Sequence, residues 1–304
     1  MGSSVVSNQV LILFFIMIIG FYAKKKDIIN NSTSKKLSEL LLKITNPLLV
    51  ISSFQISFTE EIMHNVTTLF IFSIAAHVFS ILLGQILFFK YRGSTKKIMK
   101  FSAIYSNCGF MGIPVLESLY GKAGVLFASV YIAVFNIFVW TNGVMIFSDK
   151  KKMDKDTFKK ALLNPGIISV IIGLFLFIFS IELPNTIAST IELVGSMTTP
   201  LSMLIIGSNF ADCKLKELFY GFELYYITAV RLVLIPVLTY LVLKCIGLSG
   251  TILTVCILMV AMPVAATTTI FAEMYDEDSL FASRVIGFST LASIITIPFV
   301  MLLK

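Results

Sequence analysis

Charge is scarce in this chain: Asp, Glu, Lys and Arg make up 13% of its 304 residues, about half the share of a soluble globular domain. Histidine occurs twice and tryptophan once. There is no HExxH, no GxGD pair and no GxSxG elbow. The usual signatures of a membrane-embedded hydrolase are therefore missing, and no soluble catalytic or signalling domain is left over. An enzyme or a sensor is the disfavoured reading. The four cysteines, Cys108, Cys213, Cys245 and Cys256, form no CxxC and have no histidine at ligand spacing. That argues against a disulfide framework or a zinc site, and no cofactor is expected.

What is present in quantity is apolar. Hydrophobic residues account for 57% of the chain and the mean hydropathy is +0.92, the composition of a polytopic membrane protein. Runs of about 20 apolar residues predict ten spans, near 5 to 23, 37 to 56, 66 to 89, 100 to 117, 123 to 147, 164 to 181, 187 to 209, 219 to 245, 250 to 272 and 280 to 303. The first has no small-residue cleavage site and runs into Lys24-Lys25-Lys26, so it reads as a retained helix rather than a signal peptide.

The net charge of +7 is concentrated in alternate loops. Lys24, Lys25, Lys26, Lys35 and Lys36 follow span 1; Lys90, Arg92, Lys96, Lys97 and Lys100 follow span 3; Lys150, Lys151, Lys152, Lys155, Lys159 and Lys160 follow span 5. The intervening connections hold Glu60, Glu61, Glu117, Lys122, Glu182 and Lys244 and few other charges. By the positive-inside rule the basic loops are cytoplasmic and both termini lie outside a plasma membrane. The basicity is topological, and no nucleic-acid partner is expected.

Two apolar segments are interrupted by backbone-disrupting residues: Asn107-Cys108-Gly109-Phe110-Met111-Gly112-Ile113-Pro114 and Met262-Pro263-Val264-Ala265-Ala266-Thr267-Thr268-Thr269. Each proline lacks a donor and leaves the carbonyl four residues earlier, Phe110 or Met259, in need of another partner. Hydrocarbon supplies none, so such backbone persists only where protein buries it or a watery cavity meets it. A lone proline usually means a packed kink. Two breaks at matching places point instead to a secondary transporter's substrate site.

The halves also match in sequence. Asn46-Pro47-Leu48 is echoed by Thr199-Pro200-Leu201, Pro114 by Pro263, and Leu126-Phe127-Ala128-Ser129 by Leu280-Phe281-Ala282-Ser283, at offsets of 153, 149 and 154. A duplicated unit of five spans, an odd number, must insert its second copy upside down. The expected organisation is a first repeat over 1–148, a basic cytoplasmic linker over 149–163, and an inverted second repeat over 164–304. Broken spans 4 and 9 would then cross, exposing half-helix termini that each carry roughly half an elementary charge. N-terminal amides can hold an anion without a basic side chain. Gly109 and Gly112 permit close approach, and Asn107, Thr267, Thr268 and Thr269 offer donors and acceptors. The competing expectation is that buried threonines bond to their own helix carbonyls. Cys108 sits in the first break, either within reach of water or as a small packing residue.

The run Ser106 to Pro114 with Leu119-Tyr120-Gly121 resembles the auxin efflux carrier family, which includes plant auxin exporters and bacterial carboxylate permeases. So do Asn164-Pro165-Gly166, Pro200-Leu201, Arg231 with Pro236, and Met262-Pro263 leading to Ala272-Glu273-Met274-Tyr275. The likeness covers essentially the whole chain. It implies an all-α polytopic membrane protein of ten helices in two inverted five-helix repeats, similar to bile-acid symporters and NhaA. It further implies a scaffold and a transport domain, crossing broken helices 4 and 9, elevator-like movement, and a homodimer formed through the scaffold. In the plant exporters an asparagine seven residues before the helix 4 proline contacts the substrate carboxylate; Asn107 holds that spacing to Pro114. The long hydrophilic loop of many plant exporters is absent, and the helix 9 pattern Pro-Val-Ala-Ala-Thr departs from theirs. The compact form looks like a bacterial inner-membrane malate permease.

Inside the spans, Arg231 is either an attractor of a substrate anion or a fixed cation bonding helix-end carbonyls or Glu192. His77 titrates near physiological pH and could couple protons, or it simply packs. Glu273, Asp276, Glu277 and Asp278 read as a solvated turn. Neither break contains Asp or Glu, which disfavours a cation antiporter. The expected function is transport of a small organic carboxylate, such as malate, malonate or another weak acid; the alternative is a sodium-coupled symporter of the same architecture.

Overall fold

A computed structural model describes residues 2–148, 163–211 and 220–303. In chain order its helices are α1 (Gly2–Lys25), α2 (Asn31–Leu40), α3 (Asn46–Ser53), α4 (Glu60–Leu87), α5 (Gly93–Ile104), α6 (Ile113–Phe138), α7 (Val144–Ser148), α8 (Pro165–Ile178), α9 (Asn185–Ser196), α10 (Thr198–Phe210), α11 (Phe222–Ala229), α12 (Ile235–Cys245), α13 (Gly250–Ala261), α14 (Thr267–Met274) and α15 (Ser279–Val300). Among the described residues the only strand-like pairing is one antiparallel bridge, between Ser106 and Val264. The basic linker expected over 149–163 lies, apart from Leu163, outside the described residues, as do its six lysines and Cys213.

Among the described residues, six helical stretches are long and apolar enough to cross a membrane: Val5–Lys25, Glu60–Leu87, Cys108–Ser148, Asn185–Phe210, Phe222–Cys245 and Ser279–Val300. Their outer faces carry Phe15, Ile19, Ile71, Leu82, Ile86, Ile295 and Phe299 in exposed positions, a surface suited to hydrocarbon. The protein is a multi-pass membrane protein. Cys108–Ser148 has 41 residues, about 60 Å of helix against a hydrocarbon core of about 30 Å. It is broken at Gly121, whose φ of 58° and ψ of −141° reverse the chain; only glycine adopts that conformation without strain. Pro165–Ile178 and Gly250–Ala261 are apolar but shorter. The segment expected near 37 to 56 is divided into α2, a five-residue π-turn and α3, with Lys35, Lys36, Glu39 and Lys43 exposed.

The prolines leave a regular mark. Of the four π-turns among the described residues, Leu41–Thr45, Cys108–Gly112 and Val230–Leu234 each end two residues before a proline, Pro47, Pro114 or Pro236, whereas Val139–Gly143 is not followed by one. A widened turn absorbs the missing amide and the ring's bulk where a strict i→i−4 ladder could not.

Two groups of helices are recognisable from what packs on what. α1 lies along α10, and α3 contacts both α8 and α9. The other group brings α4, α5 and α6 together with α11 to α15, and it meets the first where α6 packs on α1, α3 and α8 and where α15 packs on α1. Each group draws on both halves of the sequence. The α1–α10 contact is a backbone contact: a Cβ on Gly207 would lie 1.9 Å from the Met17 carbonyl oxygen, and one on Gly20 would lie 2.2 Å from that of Leu204. Small residues drive helix association in lipid because close approach maximises dispersion where no hydrophobic effect operates. Gly207→Ala must push the helices apart, and thermal unfolding in detergent should show a loss of at least about 1–3 kcal/mol. Unchanged thermal stability would contradict this packing.

Candidate functional site

The two breaks lie against each other. α5 ends at Ile104, and Tyr105, Ser106 and Asn107 run in non-helical conformation into the Cys108–Gly112 turn. α13 ends at Ala261, and five residues separate it from α14. The Asn107 N–H donates to the Pro263 carbonyl at 2.7 Å, and the Ala265 N–H donates to the Tyr105 carbonyl at 3.0 Å. Backbone that has left its own helix is thus paired with backbone from the other break, as a low-dielectric interior demands.

The proline-freed carbonyls find serines. Ser106 Oγ donates to the Met259 carbonyl at 2.8 Å, so the vacancy made by Pro263 is filled from the first break. The Phe110 carbonyl, freed by Pro114, is approached by Ser202 Oγ on α10 at 3.5 Å. Neither serine stood out in the sequence. The only available signal was the requirement itself, a buried carbonyl four residues before each proline.

Arg231 is buried, 1% exposed, and is devoted to the C-terminal ends of the two first half-helices. Nη1 donates to the Ala103 carbonyl at 2.8 Å and Nε to the Met262 carbonyl at 3.1 Å, and Nη2 donates to the Val260 carbonyl. A planar guanidinium suits this task because its donors form a rigid fork, and a cation is favoured where helix dipoles end negative. Glu192 is not its partner: that carboxylate pairs with Lys122 at 2.9 Å.

The N-terminal ends of the second half-helices are treated oppositely. Asn107 precedes the Cys108–Gly112 turn and Ala266 precedes α14, and neither provides a side-chain cap. Asn107 is 5% exposed and its Nδ2 has no partner; Thr267 Oγ1 is likewise buried without one. Thr268 and Thr269 instead donate to the Ala265 and Ala266 carbonyls at 2.7 and 3.0 Å, the local bonding that competes with a ligand role. Cys108 is wholly enclosed in the core, the small packing residue of the two alternatives the sequence offers. Pro114 and Pro263 are buried and act through the backbone. Gly112 lies against Met259, whose sulfur would be 2.6 Å from an added Cβ, whereas a Cβ on Gly109 would meet nothing within 4 Å. Gly109 therefore borders open space beside Asn107.

A cleft of about 60 Å³ reaches the second break from the end of the molecule that carries the basic loops. Ile206, Asn209 and Phe210 of α10 form one wall; Ala266, Thr269 and three residues of α15 (Ser283, Ile286, Gly287) form the other. The cleft thus runs between the two helix groups. Lys25, which donates to the Ala211 carbonyl at 3.0 Å, marks the same end.

His77 stands apart from this cleft. Its Nδ1 is 2.7 Å from the Ser73 carbonyl and must carry the proton there, since a carbonyl only accepts. Phe138 stacks on its ring at 5.2 Å, with Tyr131 at 5.2 Å, Phe135 at 6.2 Å and Tyr105 at 6.4 Å. In the turn after α14, Glu277 pairs with Lys97 at 2.8 Å and Asp278 caps α15 by accepting from the Phe281 N–H. No group of three or more metal-ligating side chains occurs among the described residues.

Comparison with known proteins points to membrane transport. The chain is similar to an uncharacterized transporter of Methanocaldococcus jannaschii, 23% identical over 304 residues that cover 95% of this chain and 96% of the relative. It is 21% identical to an uncharacterized transporter of Methanothermobacter thermautotrophicus, covering 98% and 97%, and 21% identical to the uncharacterized transporter YfdV of Escherichia coli K12, covering 96% and 95%. The model of the membrane transport protein family matches residues 5–301. The chain belongs to that family, the auxin efflux carriers that its motifs resemble, whose members are transporters and not enzymes.

Proposed function

We propose that the protein carries a small organic carboxylate, malate-like, malonate-like or another weak acid, across the plasma membrane. The observation that carries this reading is the division of labour at the paired breaks. Arg231 is spent on negative helix ends, while the positive ends are uncapped and flanked by the unpartnered Asn107 Nδ2 and Thr267 Oγ1. A carboxylate would complete both, accepting from amide, hydroxyl and backbone N–H groups. Ten spans in inverted repeats, with both termini outside, would put the breaks near mid-membrane. The group containing α1, α3, α8, α9 and α10 would serve as the scaffold and the other as the moving unit. An inside-negative potential favours anion export by about 2.3 kcal/mol per charge per 100 mV.

The test is thermal stabilisation of the purified protein by malate, malonate, succinate, short-chain acids and indole acetate, with sodium present or replaced. A carboxylate that stabilises without sodium supports the reading. Stabilisation only with sodium moves the assignment to a symporter, and no response to any acid removes the organic-anion cargo. Gly109→Ala sharpens the result. Its methyl group enters open space, so apo stability should hold or rise by up to about 1 kcal/mol, while the ligand-induced shift should fall because the methyl occupies the ligand's approach. An unaltered ligand shift would place the carboxylate elsewhere.

A further inference from the structure

At the end of the molecule opposite the basic loops, an ion pair joins the two helix groups. The reversal at Gly121 sets Lys122 at the tip between the second half of broken helix 4 and the rest of α6. From there its Nζ reaches Glu192 Oε2 on α9 at 2.9 Å. Lys122 belongs to the group that contains both breaks, and Glu192 to the group built on α1 and α10. The opposite end is where the cleft between α10 and α15 reaches Ala266 and Thr269. Between these ends the facing surfaces are largely apolar: Phe110 from the first break rests against Leu41, Leu201 and Ile205, contacts that resist sliding less than a hydrogen-bonded network would.

We propose that Lys122 and Glu192 form an outer latch, which holds the far side shut while the basic-side cleft is open. The inference rests on the proposed relative movement of the two groups. Both partners are about half exposed, so the pair has the modest strength of a surface salt bridge. A modest bias suffices where two states are nearly balanced, because populations respond exponentially to small differences.

The latch makes a prediction that an ordinary surface pair does not. Lys122→Gln removes the attraction, so it should shift the population away from the open cleft. Glu192→Gln removes the same attraction and should shift it by a similar amount. Exchanging the charges, Lys122→Glu with Glu192→Lys, should restore most of the wild-type balance. The readout is the rate at which a polar maleimide labels Ser283→Cys, on the cleft wall, with Cys213 and Cys245 replaced by serine and the protein in lipid nanodiscs.

Labelling about two- to five-fold slower in Lys122→Gln and in Glu192→Gln, with recovery in the charge-exchanged double variant, is the expected pattern. Labelling at the wild-type rate in both single variants, with each variant monodisperse, overturns the latch. So does slowing in the charge-exchanged variant as large as in the single variants. The assay uses no cargo, so a failed carboxylate assignment leaves its result standing, and a failed latch leaves the carboxylate site untouched.

Discussion

Asn107→Ala strongly weakens the response to carboxylate while leaving the empty protein as stable as the wild type, or more so. The backbone N–H that bonds Pro263 survives the substitution, so the pairing of the two breaks is retained. The side-chain Nδ2 has no protein partner to lose, and removing a buried, unsatisfied amide relieves a cost of about 1–3 kcal/mol. With ligand the balance reverses. A hydrogen bond to a charged group contributes about 1.5–3 kcal/mol, so affinity should fall roughly 10- to 150-fold. Thermal unfolding with and without the stabilising acid measures both quantities on one sample. A variant that is destabilised when empty would show that Asn107 holds the fold together. One that binds as the wild type does would remove Asn107 from the site.

Arg231→Ala, by contrast, loses the fold before it loses the ligand. It strands the carbonyls of Ala103, Val260 and Met262 in the protein interior, each at about 1–3 kcal/mol. The sum is a large part of the whole stability of a typical domain, about 5–15 kcal/mol. The variant should accumulate poorly and elute as aggregate in size-exclusion chromatography. Arg231→Lys keeps the charge but has no planar fork with which to span three carbonyls, so intermediate stability with unaltered ligand affinity is expected. A folded Arg231→Lys with strongly weakened carboxylate binding would instead make Arg231 part of the anion site.

These two residues show how far the sequence could be read. Asn107 was visible because its spacing to Pro114 is local and because a polar residue beside a proline inside an apolar run is conspicuous. Arg231 was equally conspicuous, but its role was open: a lone intramembrane cation can serve an anion or a helix end, and the choice depends on residues up to 128 positions away. The three threonines after Pro263 were indistinguishable in sequence. Folding separates them, giving Thr268 and Thr269 to their own helix and leaving Thr267 Oγ1 without a partner. Cys108 could have met water or packed, and its burial in the core makes it a packing residue.

What the sequence determined alone is what short-range physics controls. Long apolar runs with few charges make a membrane protein because each residue's transfer into hydrocarbon is nearly independent of its neighbours. Prolines and glycines inside those runs break helices because the missing amide and the absent Cβ act within one turn. The motifs around Pro114 and Pro263 carried the family, which the match over residues 5–301 bears out. Tertiary structure decided where each broken end found its partner: Ser106 for Met259, Arg231 for three helix-end carbonyls, Asn107 N–H for Pro263, and Lys122 for Glu192. Satisfying a buried polar group is a demand that sequence can state, but the group that meets it comes from whichever helix packing brings within 3 Å.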